Sequence, residues 1–419
     1  NRSLSLSLRF CFTLQNVKAC SSIVTGGKDI GFANYGPAWK LHRKLFVTAL
    51  RLFLKDTPLV EQIVGEESER LLKYIAGQNG KPFNPSKILA VCVANVICSV
   101  TFGKRFNSSH PDFDRLLELI HRAFNEFEIN NEAKLWDFFP FAKYLPLKCY
   151  REFSAIYDEI FAIIRKQLKK GEEAFDPNQP TRDLIGGLIK ARNEAQVENT
   201  EEKVALFSDD YMINTIADMF SAGYETTSMT LNWAVLYFTN FPDIQSKIQQ
   251  ELDDVVGRDK LPTLEDRPNL SLLQAATMEV QRLANIADSA IPHYTMKDTT
   301  LCGYRVPKNT VVFPDLESVH LDPTLYENPG DFNPYRYLDN DGKLSPSPGN
   351  WLPFSAGRRS CAGKSLAKVE LFLFLSAVLQ KYTFVPEEGK KPPKIEGKVG
   401  FTKSPLPYMV CAVKRKANV

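Results

Sequence analysis

The sequence predicts a mainly α protein with a smaller β part, on three observations. Long stretches with apolar residues every three or four positions fill the first two thirds of the chain. After Pro292 the texture changes to short β-branched runs separated by turns. One more helical pattern, residues 364 to 381, interrupts that second part, with Leu366, Val369, Phe372, Leu373 and Ala377 on one face.

In chain order, helices are expected at roughly 38–52, 57–77, 85–102, 112–128, 148–170, 182–193, 208–239, 243–256 and 267–284. Ser208-Asp209-Asp210 is an N-cap run, and the stretch from Tyr211 to about Thr239 has no proline and a single glycine, as a central helix requires. Pro242 and Gly257 stand where the next helix should start and stop. The polar stretch from Asn193 to Lys203 reads as a surface linker inside one domain. Thr299 to Val306 and Thr310 to Phe313 read as strands, with paired strands near 397 to 413.

Composition narrows the function classes. With 419 residues, 44% hydrophobic and 24% charged, the chain can bury a sizeable core. A net charge of +3 is too small to argue for nucleic acid. The eight cysteines show no C-x-x-C spacing, which fits a reducing compartment, and the five histidines show no H-E-x-x-H or other zinc spacing. Residues 1 to 20 contain Arg2, Arg9 and Lys18 and no apolar run near the roughly 20 residues needed to span a bilayer.

The most informative segment is Phe354-Ser355-Ala356-Gly357-Arg358-Arg359-Ser360-Cys361-Ala362-Gly363. A free thiol has a pKa of about 8.5, so a sulfur ligand must be held as thiolate by a metal cation, a helix N-terminus and backbone N–H groups. The helical pattern at 364 to 381 follows at once. Gly357 and Gly363 permit φ > 0 or close approach to a flat macrocycle, Phe354 can shield the sulfur from water, and Arg359 can reach a heme propionate. A lone cysteine is more often a small buried hydrophobe. Five fixed positions within ten residues point instead to Cys361 as an axial ligand of heme iron.

Ala222-Gly223-Tyr224-Glu225-Thr226-Thr227 places small and polar residues inside the apolar central helix. Gly223 costs about 1 kcal/mol relative to alanine there, so a compensating role is expected, read as room for dioxygen against the helix. Glu225 and Thr226 pair a carboxylate with a hydroxyl, as proton delivery needs. Taken alone, they fit equally well a threonine bonded to its i−4 carbonyl and a solvated glutamate. Glu279 and Arg282 share a helix face, as do Trp39 and Arg43; each is by itself compatible with an ordinary surface pair.

The cysteine segment resembles the heme-binding signature F-x-x-G-x-R-x-C-x-G of the cytochrome P450 family. The other segments then find counterparts: Ala222 to Thr226 is similar to the family's A-G-x-[DE]-T, Glu279 and Arg282 to its E-x-x-R, Arg336 to the arginine of its P-E-R-F, and Trp39 and Arg43 to its W-x-x-x-R. Tyr335 departs from the usual glutamate. The resemblance implies the P450 fold, a helical bundle around a buried heme plus small β-sheets. It also implies a heme-thiolate monooxygenase using heme b and NADPH indirectly. By carry-over, Cys361 ligates iron, and Thr226 and Glu225 deliver protons. Trp39, Arg43, Ala222, His293, Phe354, Arg359 and Gly363 contact heme, and Glu279, Arg282 and Arg336 form a structural triad. Met219, Phe220, Ala287, Ala290, Ile291, Phe401 and Thr402 are carried over as substrate-pocket residues.

Asn95-Val96-Ile97-Cys98, Ile291-Pro292-His293 and Ser404-Pro405-Leu406-Pro407-Tyr408 look like the animal microsomal group, with its drug-metabolising and steroid 17-alpha-hydroxylase-like members. The implied partners are an NADPH-cytochrome reductase, cytochrome b5, an apolar steroid, fatty acid or xenobiotic, and the cytosolic face of the endoplasmic reticulum membrane. Lys364 and Lys368 can belong to a basic face for an acidic electron donor, or to a solvated helix face. Residues 1–23 are read as an atypical segment without the family's motifs. The expectation is therefore a single heme-thiolate domain at 24–419, shortened at its N-terminus by the anchor, the first helix and most of the first sheet. Two other functions share the heme: an isomerase or dehydratase acting on a peroxide, whose relatives often lack the acid–threonine pair, and a non-catalytic heme-binding fragment.

Overall fold

The computed structural model describes residues 25–105, 111–129, 148–198, 201–288 and 290–416. The expected segment 1–23 lies outside the described residues. The helices are α1 (Pro37–Lys55), α2 (Thr57–Gly77), α3 (Ser86–Phe102), α4 (Pro111–Ile129), α5 (Lys148–Ala174), α6 (Leu184–Val197), α7 (Glu201–Ala205), α8 (Asp209–Asn240), α9 (Pro242–Val255), α10 (Ser271–Ala284), α11 (Leu316–His320) and α12 (Lys364–Lys381). The strands are β1 (His293–Tyr294), β2 (Thr299–Leu301), β3 (Tyr304–Val306), β4 (Val311–Val312), β5 (Tyr382–Val385), β6 (Gly397–Lys398), β7 (Ser404–Pro405) and β8 (Cys411–Lys414). The fold is thus mainly α, and the expected helices are present with ends shifted by a few residues.

Local chemistry explains the helix boundaries. Asp56 accepts a bond from the Leu59 amide at 3.3 Å to cap α2, and Pro242 occupies the first turn of α9. The Gly257 amide closes α9 on Leu252 and Asp253, as its place in the sequence suggested. Ser208 does hold the N-cap position of α8, but its side chain makes no capping bond, leaving Asp209 and Asp210 to face the helix dipole.

Two expectations need correction. The Asn193–Lys203 linker is partly helical, because α6 runs on to Val197 and α7 begins at Glu201. The segment 267–284 is broken at Leu270, whose φ −104°, ψ 63° separates a 3₁₀ turn from α10.

One contiguous core runs from α1 through α12 to β5 and β8, with α8 packed most extensively on α3. α3 is apolar nearly all round, as a helix enclosed on every side must be. Among the described residues the strands form four antiparallel pairs: β1 with β4, β2 with β3, β5 with β8 and β6 with β7. The β2–β3 hairpin turns at Cys302 and Gly303, both at positive φ, which matches the twist of the flanking strands. The expected pairing within 397–413 holds only for β6 and β7; β8 pairs instead with β5, which follows α12 directly.

Candidate active site

The cysteine segment folds as a tight loop on the N-terminus of α12. Ser355 (φ 54°) and Gly357 (φ 74°) take left-handed conformations, and the Cys361 amide closes the loop on the Phe354 carbonyl at 2.9 Å. A T-shaped contact with Trp351 at 5.9 Å fixes the Phe354 ring. Surrounding protein pushes the Cys361 thiol pKa up, while the Gly363 and Lys364 backbone amides and the Arg43 and Lys364 charges pull it down. By surface area the residue is nevertheless exposed. Its sulfur is enclosed by neighbours yet reachable, because Cys361 lines an open cleft of about 420 Å³ with Arg43, Val47, Leu50, Ala362 and Lys364. A cation set against this sulfur would decide its charge in favour of thiolate.

α1 and the loop before it bring a cluster of cations beside that cysteine. The Arg359 guanidinium lies 4.1 Å from the Trp39 ring centroid and that of Arg43 lies 5.4 Å from it, so two cations flank one indole. Trp39 Nε1 donates to the Ile30 carbonyl at 2.9 Å; Arg359 donates to the Ile30 and Ala33 carbonyls at 3.3 and 2.7 Å; Arg43 donates to the Ser360 carbonyl at 2.5 Å. Burial, then repulsion from Arg43, lowers the Arg359 pKa, and burial and Arg359 lower that of His293. Partly buried cations crowded in this way favour an anion between them.

On α8 the expected proton-delivery residues face different ways. Ala222 is exposed although most of α8 is buried, and Thr226, one turn on, is half-buried with its hydroxyl donating to the Ala222 carbonyl at 2.7 Å. Glu225 is 4% exposed rather than solvated, and its Oε1 lies 3.7 Å from His121 Nδ1 on α4. Gly223 is corrected: a Cβ there would lie 2.8 Å from Ile97 Cδ1, so the glycine serves the close approach of α3 to α8. The open side of the helix belongs to Ala222 instead.

Glu279, Arg282 and Arg336 come together where α10 meets the 3₁₀ turn Pro334–Tyr337. Arg282 Nε and Nη2 donate to the two Glu279 oxygens at 2.8 Å each, and Arg336 Nε donates to Oε1 at 3.0 Å. Glu279 and Arg282 are fully buried, and Arg282 also donates to the His320 and Pro329 carbonyls, both at 2.7 Å. Tyr335, at the position of the missing glutamate, is exposed beside Lys247. His320 was not found by sequence reasoning: its Nε2 accepts the Leu352 amide at 2.9 Å, and its Nδ1 meets Asn285 Oδ1 at 3.1 Å. No spacing rule marks a lone histidine 41 residues before the cysteine.

The cytochrome P450 family model matches residues 11–412. This chain belongs to the cytochrome P450 family. It is 36% identical over 394 residues to rat (Rattus norvegicus) cytochrome P450 2U1, covering 94% of this chain and 73% of that protein. It is also 34% identical to the steroid 17-alpha-hydroxylase/17,20 lyase of Squalus acanthias, covering 94% and 76%, and 37% identical to that of Rana dybowskii, covering 93% and 75%. The chain is accordingly a P450 monooxygenase, an oxidoreductase with a heme-iron cofactor, a redox partner and a small-molecule substrate.

The residues of this P450 fit its cofactor. An accessible cysteine sulfur receives backbone N–H groups at a helix start, crowded arginines stand ready for carboxylates, and an exposed alanine interrupts a buried helix. Among the pocket residues, Ala287 is half-buried, Ile291 is 37% exposed, and half-buried Phe401 contacts Phe124 edge-to-face at 5.1 Å and Phe32 at 5.9 Å. Ala290 and Thr402 are buried. Met219 and Phe220 belong to the core: Phe220 packs against Phe102 and Tyr224, because its place on the α8 turn directs it away from the Ala222 face. Among the described residues no helix is long and apolar enough to cross a membrane.

Proposed function

We propose that this P450 inserts one atom of dioxygen into an apolar substrate, a steroid, fatty acid or xenobiotic, with electrons passed from NADPH through a reductase. The observation that carries the reading is the Cys361 sulfur, supported by the Gly363 and Lys364 amides and lying within the field of Arg43. When bound, heme b supplies oxygen activation, with thiolate electron density favouring O–O cleavage.

The chain's own residues do the rest. Trp39, Arg43, Arg359 and His293 orient the propionate edge, and Phe354 limits water at the sulfur. Thr226 presents its hydroxyl on the open face beside Ala222, and Glu225 is the acid that supplies it with protons. The aromatic group of Phe32, Phe124 and Phe401 suits an apolar substrate. The names of the two steroid hydroxylase relatives make steroids the first substrates to try. Arg43, Arg51, Lys55 and Lys364 line the cleft by the cysteine and suit an acidic face of a reductase or cytochrome b5. Residence on the endoplasmic reticulum membrane belongs to the same proposal.

The test is heme loading followed by a reduced carbon monoxide difference spectrum. The red-shifted band of a thiolate ligand is expected, and Cys361→Ser must abolish it; a variant that keeps the band sinks the assignment. Spin-state shifts with steroids, fatty acids and planar aromatics then sort the substrates.

A further inference from the structure

Glu225 is buried, yet its carboxylate meets a side chain that is 58% exposed, His121 of α4. A carboxylate removed from water needs a partner. A lysine or arginine in that place would itself stay charged across neutral pH, whereas histidine changes charge there. The 3.7 Å separation is an ion-pair distance, and turning an exposed imidazole by about 1 Å at its edge brings Nδ1 within hydrogen-bond range. We propose that His121 is the positioning residue through which solvent protons reach Glu225. The inference rests on the monooxygenase reading, in which Glu225 is the proton donor.

The transfer is a simple exchange. The Nδ1–H bond of the imidazolium breaks as an O–H bond forms on Glu225 Oε1, leaving a neutral imidazole and a carboxylic acid. Hydronium from the surrounding water reprotonates the exposed ring. In the monooxygenase reading Glu225 then hands the proton on to Thr226, the next residue of α8.

The surroundings set the direction of the pH dependence. Contact with the Glu225 carboxylate raises the His121 pKa, opposed by burial and by Lys398 of β6. Tyr224 adjoins Glu225 on α8, and burial and that carboxylate push its pKa well up, so it does not compete as a base. On α4, Glu118 is engaged with Arg115, and from α5, Glu159 and Lys166 meet Arg115 and Asp112 rather than the imidazole. Proton supply is therefore present below the raised pKa of His121 and lost as pH rises through it.

The heme-loaded full chain, with its five histidines isotopically labelled, gives the first readout. The His121 resonance, assigned by its loss in His121→Gln, should titrate above the ordinary histidine value and move down in Glu225→Gln. The second readout is the pH profile of product formed per NADPH. His121→Gln should lower that ratio about 10-fold and remove the alkaline fall. His121→Lys, which keeps a cation but not its titration near neutrality, should not restore it. An unshifted resonance in Glu225→Gln, or an unchanged alkaline fall in His121→Gln, overturns the proposal. The carbon monoxide band should be the same in all variants; a wild-type protein without it overturns the parent reading and this one with it, whereas a normal band with an unchanged profile overturns this one alone.

Discussion

The Leu352 amide donates to His320 Nε2 at 2.9 Å, tying the chain two residues before the cysteine loop to the end of a helix that the Arg282 guanidinium also holds. Accepting at Nε2 requires His320 to be neutral, with its proton on Nδ1 toward Asn285. Burial, then the Arg282 charge, accordingly drops its pKa from 6.5 to about 4.

That depressed value makes stability depend on acid. The unfolded chain takes up the proton first, so the stabilisation is complete above about pH 6.5 and is lost as pH falls from there toward about 4. The total is roughly 3 kcal/mol, at about 1.4 kcal/mol per pKa unit. Chemical denaturation at pH 7 and pH 5 should show this fall, and His320→Gln should flatten it; an equally steep fall in the variant would place the acid sensitivity elsewhere.

Breaking the buried triad should be far costlier than trimming its rim. Glu279→Ala leaves Arg282 charged and enclosed, with an expected loss of about 3–5 kcal/mol. Arg336→Lys acts on a side chain that is 11% exposed and should cost less than half as much. Thermal unfolding and heme retention of the two variants measure the difference.

At the crossing of α3 and α8, Gly223→Ala sets a methyl group against Ile97. Overpacking of about 1–3 kcal/mol exceeds the helix propensity gained, about 1 kcal/mol, so a net loss near 1 kcal/mol is expected. Ile97→Val removes the nearest atom, and the double variant should be more stable than Gly223→Ala alone. Simple addition of the two single losses would show that the two residues do not touch.

Thr226→Ala should separate chemistry from folding. The hydroxyl bonds to the Ala222 carbonyl one turn back, a contact within its own helix, so its loss should change stability by less than about 1 kcal/mol. Product per NADPH should fall by about 10-fold or more, with Thr226→Ser keeping most of it. Equal losses in the alanine and serine variants would argue for a packing role.

What the sequence reveals follows the range of the interaction. The cysteine loop, the α8 motif and the Glu279–Arg282 pair are written within a few residues of each other, so spacing alone picks them out. The contact of His121 with Glu225, of Ile97 with Gly223 and of Leu352 with His320 joins separate elements, and none leaves a local pattern. The β5–β8 pairing escaped for the same reason: these strands meet across the whole β6–β7 hairpin, and strands of two to four residues carry little periodicity. Periodicity likewise marked α8 as central without telling which face packs, and the burial of Met219 and Phe220 is set by contacts with other elements.

The enclosed carboxylate of Glu279 also constrains how this chain can drift. Neutralising Glu279 or Arg282 alone strands the other charge in the interior, so these two positions are tied into one heritable block, with Arg336 on its rim. An exchange for an uncharged cluster would have to arrive in concert, and a library that varies the three codons together should recover such solutions where one-at-a-time scanning finds none.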